Sequence, residues 1–180
     1  MEQSMEAERA HFFAGVMVAA IEAEWKVTRK VIAAIPADRG DYRPDPKART
    51  AAELAWHIAS SEVWFLECLL EGQFKMEEPN CPPEIRTPED IIAWYENAAP
   101  PLVERVKAIP GAKLAEPLSF FGMFSQPAAM YLNLTLAHSV HHRGQLSVYL
   151  RPMGSRVPSI YGGSADEPFE SSLPASETAA

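Results

Sequence analysis

At 180 residues, 47% hydrophobic and with a net charge of −8, the chain has the make-up of one folded domain with a full core. The charge excludes a DNA- or RNA-binding surface, which needs clustered Lys and Arg, and no basic run occurs anywhere. Two cysteines, Cys68 and Cys81, build neither a disulfide framework nor a zinc knuckle. The start is acidic rather than signal-like, and the apolar run Phe12–Ile21 is too short to cross a bilayer, so a cytoplasmic protein without a membrane segment is expected.

Apolar residues at near-helical spacing predict a long first helix over about Ser4–Ile35, with Phe12, Val16, Ala19, Ala20, Ala23, Val27, Ile32 and Ile35 on its buried face. Pro36 and Gly40 stop it, and 41–47 form a proline-rich loop. A second helix starts at Thr50, where Thr50-Ala51-Ala52-Glu53 has capping-box spacing, and it ends near Glu71 before Gly72. After a linker over 74–86, Thr87-Pro88-Glu89-Asp90 opens a third helix that Pro110-Gly111 closes. Pro100 and Pro101 predict a kink or a break in its middle. Residues 112–123 read as a loop with at most a short extended piece at Pro117–Phe121. A fourth helix is predicted from Ser125, as cap, through Pro127 to about Leu150. The irregular Val157–Gly163 stretch is expected to pack back on the helices, and 169–180 to be a flexible acidic tail after a single domain at 1–168. Four long helices without a convincing strand make an all-α four-helix bundle with long inter-helix connections.

Within the fourth helix, His138 and His142 are four residues apart and share a face. Both imidazoles can reach one ion at about 2.0–2.1 Å, whereas His141 is rotated by roughly 100° and cannot easily join. His57, two turns into the second helix, is the candidate third ligand. Three imidazoles would leave positions open for water or substrate, as in catalytic rather than structural sites, and suit Zn, Ni or Fe. Residue patterns alone leave this open: an i,i+4 histidine pair arises by chance, and a lone histidine beside an apolar stripe is more often a hydrogen-bonded core residue. Glu53, one turn before His57, is either the capping acid, which is favoured, or an orienting partner of the imidazole. Gln145 and Tyr149 continue the histidine stripe as possible pocket residues. Cys68 lies roughly 16 Å further along the helix, out of reach of the same ion. Arg143 and His141 fall off the metal-facing side, where they can pair with acids, and His11 is expected at the surface.

Thr50-Ala51-Ala52-Glu53-Leu54-Ala55-Trp56-His57-Ile58-Ala59 resembles the first signature of the DinB/YfiT-like family, and His138-Ser139-Val140-His141-His142-Arg143-Gly144-Gln145-Leu146 resembles the second. Leu150–Gly154 followed by Val157–Gly162 is similar to many members, so the likeness spans residues 5–167. It implies a four-helix bundle with a divalent metal held at the positions of His57, His138 and His142. It also implies activation of a low-molecular-weight thiol, such as bacillithiol or mycothiol, for transfer to an electrophile. The expectation is therefore a metal-dependent thiol S-transferase. The alternatives are a metal-dependent hydrolase and a non-catalytic metal-binding stress-response protein. Expected partners are a small-molecule thiol and an electrophilic substrate, with pairing into a homodimer and no nucleic acid.

Overall fold

Two threonines set the starts of the helices that build the middle of the molecule. In the structure, a computed structural model that describes residues 5–76 and 80–168, Thr50 Oγ accepts from the Glu53 amide at 3.1 Å. The Glu53 carboxylate in turn accepts from the Thr50 amide at 2.7 Å. From that box runs α2, Ala51–Glu71, closed by Gly72 at φ 70°, a left-handed position that favours glycine. Thr87 and Asp90 make the same reciprocal cap for α3, Pro88–Lys107. α1 spans Ala7–Ala33 and α5 Met130–Leu150, with a short α4, Gly111–Ala115, and strands β1, Pro117–Phe120, and β2, Phe124–Pro127, between α3 and α5.

α2 is the central helix. It packs on both α3 and α5, while α1 packs on α3, α4 and α5. A helix with neighbours on several faces is apolar nearly all round, and α2 is buried continuously from Leu54 to Leu66. The four long helices form the expected all-α bundle. Among the described residues no helix is long and apolar enough to cross a membrane.

The buried face of α1 differs from the predicted one. Phe12 is 74% exposed and Val16 47%, while Ala10, Ala14, Val18, Ile21 and Thr28 face the core. The run Phe12–Ile21 is almost wholly apolar, so its periodicity has no contrast from which to choose a face. Close approach of another element decides it: a Cβ on Gly111 would lie 2.3 Å from the Ala7 carbonyl oxygen and 3.1 Å from the His11 Cβ. Small residues belong where backbones meet. Gly111→Ala is therefore expected to cost about 1–3 kcal/mol, the range for overpacking a tight contact, read from the denaturant midpoint. An unchanged midpoint would remove the contact as a determinant of how α4 docks.

Three further expectations are corrected. α3 runs without a break through Pro100 and Pro101. The carbonyls these prolines leave without an intrahelical donor belong to Glu96 and Asn97, both exposed and open to water. The extended piece expected at Pro117–Phe121 is β1, but the rest of the supposed loop holds α4 and the second strand of an antiparallel hairpin that pairs Pro117 with Pro127 and Phe120 with Phe124. Its turn carries Phe121 at φ 53° and Gly122 at φ 75°, closed by the Met123 amide on the Phe120 carbonyl at 3.0 Å. Ser125 and Pro127 thus lie in β2 and do not cap a helix; Ser125 Oγ donates to the Leu118 carbonyl at 3.2 Å. α5 begins later, at Met130, with no side-chain cap, its entry pinned by the Ala128 and Ala129 amides on the Glu116 and Leu114 carbonyls.

The segment after α5 packs back as expected. Ser155 Oγ donates to the Ala34 carbonyl at 2.6 Å, and Val157 and Ile160 rest against the core. The acidic stretch from 169 onward lies outside the described residues.

Candidate metal centre

Helix geometry carries His57 on α2 and the i,i+4 pair His138/His142 on α5 to one point between the two helices. One nitrogen from each ring lies within 4.8 Å of the others. His57 Nε2 and His142 Nε2 are 3.3 Å apart. Two nitrogens bound to one tetrahedral ion at 2.0–2.1 Å would sit about 3.3–3.4 Å apart, so this pair already has the spacing of adjacent ligands.

The remaining ring nitrogens fix how the imidazoles face. His57 Nδ1 lies 3.1 Å from Ser61 Oγ, one turn further along α2. His142 Nδ1 lies 2.7 Å from Gln145 Oε1. With Nδ1–H donating to these oxygens, each Nε2 presents its lone pair to the cluster, the arrangement that metal-bound histidines require. His138 Nδ1 is buried and has no hydrogen-bond partner among the described residues. Burial first, then the neighbouring His142 and His57 rings, hold the His138 pKa down at about 3, so this imidazole is neutral at ordinary pH, as a ligand must be. The Phe65 ring, 5.5 Å from His138 between centroids, supplies an apolar wall. Ser61 and Gln145 hold the two rings whose spacing already matches a metal pair. Ser61→Ala and Gln145→Ala are each expected to weaken zinc affinity by about 10–100-fold, the usual effect of losing an orienting partner, as measured by competition with a chelating dye. Unaltered affinity in both would assign the ring orientations to packing alone.

The other candidates fall into place around this cluster. Glu53 is the capping acid, held below the usual carboxylate range chiefly by the Thr50 amide. Tyr149 packs edge-on against Tyr42 at 5.9 Å and does not join the three histidines. His11 and His141 are exposed. Cys68 is buried beside Trp64 and Phe65, and neither it nor Cys81 is in a disulfide.

Two features escaped prediction. Ser61 has a simple signal, a hydroxyl at i+4 from a ligand candidate. Glu62 has none: the residue is fully buried and collects Trp25 Nε1 and Tyr95 OH on one oxygen, each at 2.6 Å, and Ser139 Oγ on the other at 2.9 Å. Beside it Arg143, 1% exposed, is ion-paired with Glu24 and donates to Thr28 and Tyr161. Arg143 does lie off the metal-facing side and does pair with an acid, but in the core rather than in solvent.

A cavity of about 580 Å³ opens on the His57 side of the cluster, walled by the 43–53 segment, Trp56 and Ile91. A helix bundle that gathers three imidazoles from two facing helices beside a cavity defines a class of protein able to hold a divalent ion in its core. The chain belongs to the DinB family, whose model matches residues 1–171. It is 29% identical to YjoA of Bacillus subtilis (strain 168) over 136 residues, covering 75% of this chain and 87% of that protein. It is 28% identical to YrdA of the same organism over 120 residues, covering 66% and 70%. The crystal structure of the DinB-like protein YjoA superposes with a TM-score of 0.64 at 24% identity, covering 79% of this chain and 94% of that one. A DinB-like protein from Bacillus cereus ATCC 10987 gives 0.67 at 23% identity, covering 81% and 95%. Both share the fold.

Proposed function

We propose that this protein is a divalent-metal-dependent enzyme that transfers a low-molecular-weight thiol to an electrophile, with His57, His138 and His142 as the metal ligands. The observation that carries the proposal is the cluster itself: three imidazoles with ligand nitrogens within 4.8 Å of one another, one pair already at ligand spacing and with its outer nitrogens held, beside a cavity that reaches His57. Three protein ligands leave at least one position for an exogenous group, the pattern of catalytic sites. A bound ion of this kind supplies Lewis acidity, lowering the pKa of a thiol or water that it meets.

The chain's own groups do the rest. His138 stays neutral, and Ser61 and Gln145 hold the His57 and His142 rings, so little must reorganise when a ligand arrives. Phe65 gives the His138 side of the cluster an apolar wall, while the cavity leaves the His57 side open to an incoming group. In the transfer, the thiol loses its proton, sulfur forms a bond to the electrophilic carbon, and the carbon–halogen bond of a halide substrate breaks to release halide. Two unpaired cysteines suit a reducing cytoplasm, where such thiols are kept.

The test is loss of 1-chloro-2,4-dinitrobenzene in the presence of bacillithiol, mycothiol or cysteine, with protein loaded in turn with Zn²⁺, Ni²⁺ or Fe²⁺. Thiol-dependent, metal-dependent turnover that vanishes in His57→Ala is the expected result. One equivalent of tightly held metal with no thiol consumed would overturn the transferase and leave a metal-binding protein without this activity.

A further inference from the structure

We propose that the cavity beside the histidine cluster binds an anionic group of the substrate, a carboxylate or a phosphate, through Arg43, Lys47 and Arg49 with Arg86 joining from the turn before α3. The inference rests on the metal-enzyme proposal above and names the chemical class of its substrate. Charge is distributed against the trend of the chain here: the molecule carries −8 overall, yet four cationic side chains line this one cavity against a single carboxylate among its described lining residues, Glu53. That carboxylate is already engaged. It accepts from the Thr50 amide at 2.7 Å, and its approach to Arg43 is a long 3.9 Å. Among the described residues Lys47, Arg49 and Arg86 make no ion pair. Other basic residues, Lys26, Lys30, Arg39, Arg105 and Arg156, also have no acid at ion-pair distance among the described residues, so what sets this cavity apart is that four cationic side chains line one volume beside the histidines.

The cavity and the cluster form one continuous place. His57 belongs to both, and Arg49 is near enough for its charge to bear on His138. Three neutral imidazoles leave the full double charge of a bound ion uncompensated, and the nearby arginines add to it. An anionic ligand neutralises this field, and guanidinium groups are built for two-point recognition of carboxylate and phosphate. The apolar wall of Trp56, Ile85 and Ile91 in this open cleft fits a small acid with an apolar portion, not a nucleic-acid backbone, which needs an extended basic stripe.

The experiment is calorimetric titration of succinate and, separately, inorganic phosphate into metal-free and zinc-loaded protein at fixed low ionic strength. Wild type is compared with Arg43→Gln/Arg49→Gln and with Arg9→Gln, which neutralises an arginine remote from the cavity. The expected result is saturable binding of at least one anion, weakened by about tenfold or more in the double variant, the loss of one charge-assisted contact, and unchanged in Arg9→Gln. The preferred anion tells carboxylate from phosphate. Binding of neither anion to wild type, or equal weakening by all the substitutions, overturns the inference. Zinc stoichiometry in the same samples separates the two proposals. One equivalent of zinc without anion binding removes the anion site and leaves the metal proposal standing. Anion binding without zinc uptake upholds the anion site and removes the metal proposal.

Discussion

Replacing His57 with alanine is expected to abolish stoichiometric metal binding while leaving the bundle folded. The variant keeps the His138/His142 pair on α5 but loses the only ligand that α2 contributes to the cluster, so the ion would no longer bridge two helices. Loss of an orienting hydrogen bond alone costs about 10–100-fold in metal affinity, and loss of the ligand it orients costs more. The readout is elemental analysis of untagged protein together with thermal melts. Because an ion that binds only the folded state stabilises it by mass action, zinc at about 100 times its Kd adds about 2.7 kcal/mol. For a chain of this size that raises Tm by roughly 5–10 °C. Wild type should show near one equivalent of metal and this rise, and His57→Ala neither. An equal rise in both proteins would mean that zinc binds elsewhere, and the three-histidine centre would fall.

What could be read from the residues was local, and what could not was mostly long-range. The caps at Thr50 and Thr87 were legible because a capping box is closed within four residues. The His138/His142 pair was legible because i,i+4 spacing is a property of one helix. That His57 meets this pair required α2 and α5 to lie side by side at the right depth, which no spacing within either helix encodes; there the family likeness supplied what periodicity could not. The face of α1 was misassigned because an apolar run from Phe12 to Ile21 gives no contrast, and the true face follows from the backbone of α4 lying against it at Gly111. Of the hairpin only the first strand was legible, as the extended piece at Pro117–Phe121; the pairing was not, for a related reason. Phe120, Phe121, Met123 and Phe124 do not alternate in polarity, and β2 was read as the start of a helix because Ser125 and Pro127 mimic an N-terminal signal.

Glu62 is the clearest case of a residue whose importance only the packing reveals, and its removal is expected to give the largest loss of stability. Its carboxyl gathers donors from three other helices: Trp25 of α1, Tyr95 of α3 and Ser139 of α5. The bond to Ser139 links α2 to α5 one residue from His138, so it sets the depth at which the two ligand-bearing helices meet. Glu62→Ala would strand the buried donors of Tyr95 and Ser139 and the part-buried one of Trp25, at about 1–3 kcal/mol for each buried group. A total of about 3 kcal/mol or more corresponds to a Tm lower by roughly 6–12 °C, with weakened zinc binding as the second readout. Glu62→Gln separates shape from charge. Burial raises the Glu62 carboxyl above its ordinary 4.5, against the opposing pull of Tyr95, Trp25, Ser139 and the Arg143 charge. A carboxyl raised on folding holds a proton that the unfolded chain releases. Its contribution is therefore complete below about pH 4.5 and is lost as pH rises through the folded value. Glutamine imitates the protonated acid and has no proton to lose. The Tm of Glu62→Gln relative to wild type should therefore climb as pH rises above about 4.5, whatever its offset at the acid end. Parallel melting curves across that range would show that Glu62 keeps its charge state on folding. The network around it would then be an ionic one centred on Arg143 rather than a neutral hydrogen-bonded hub.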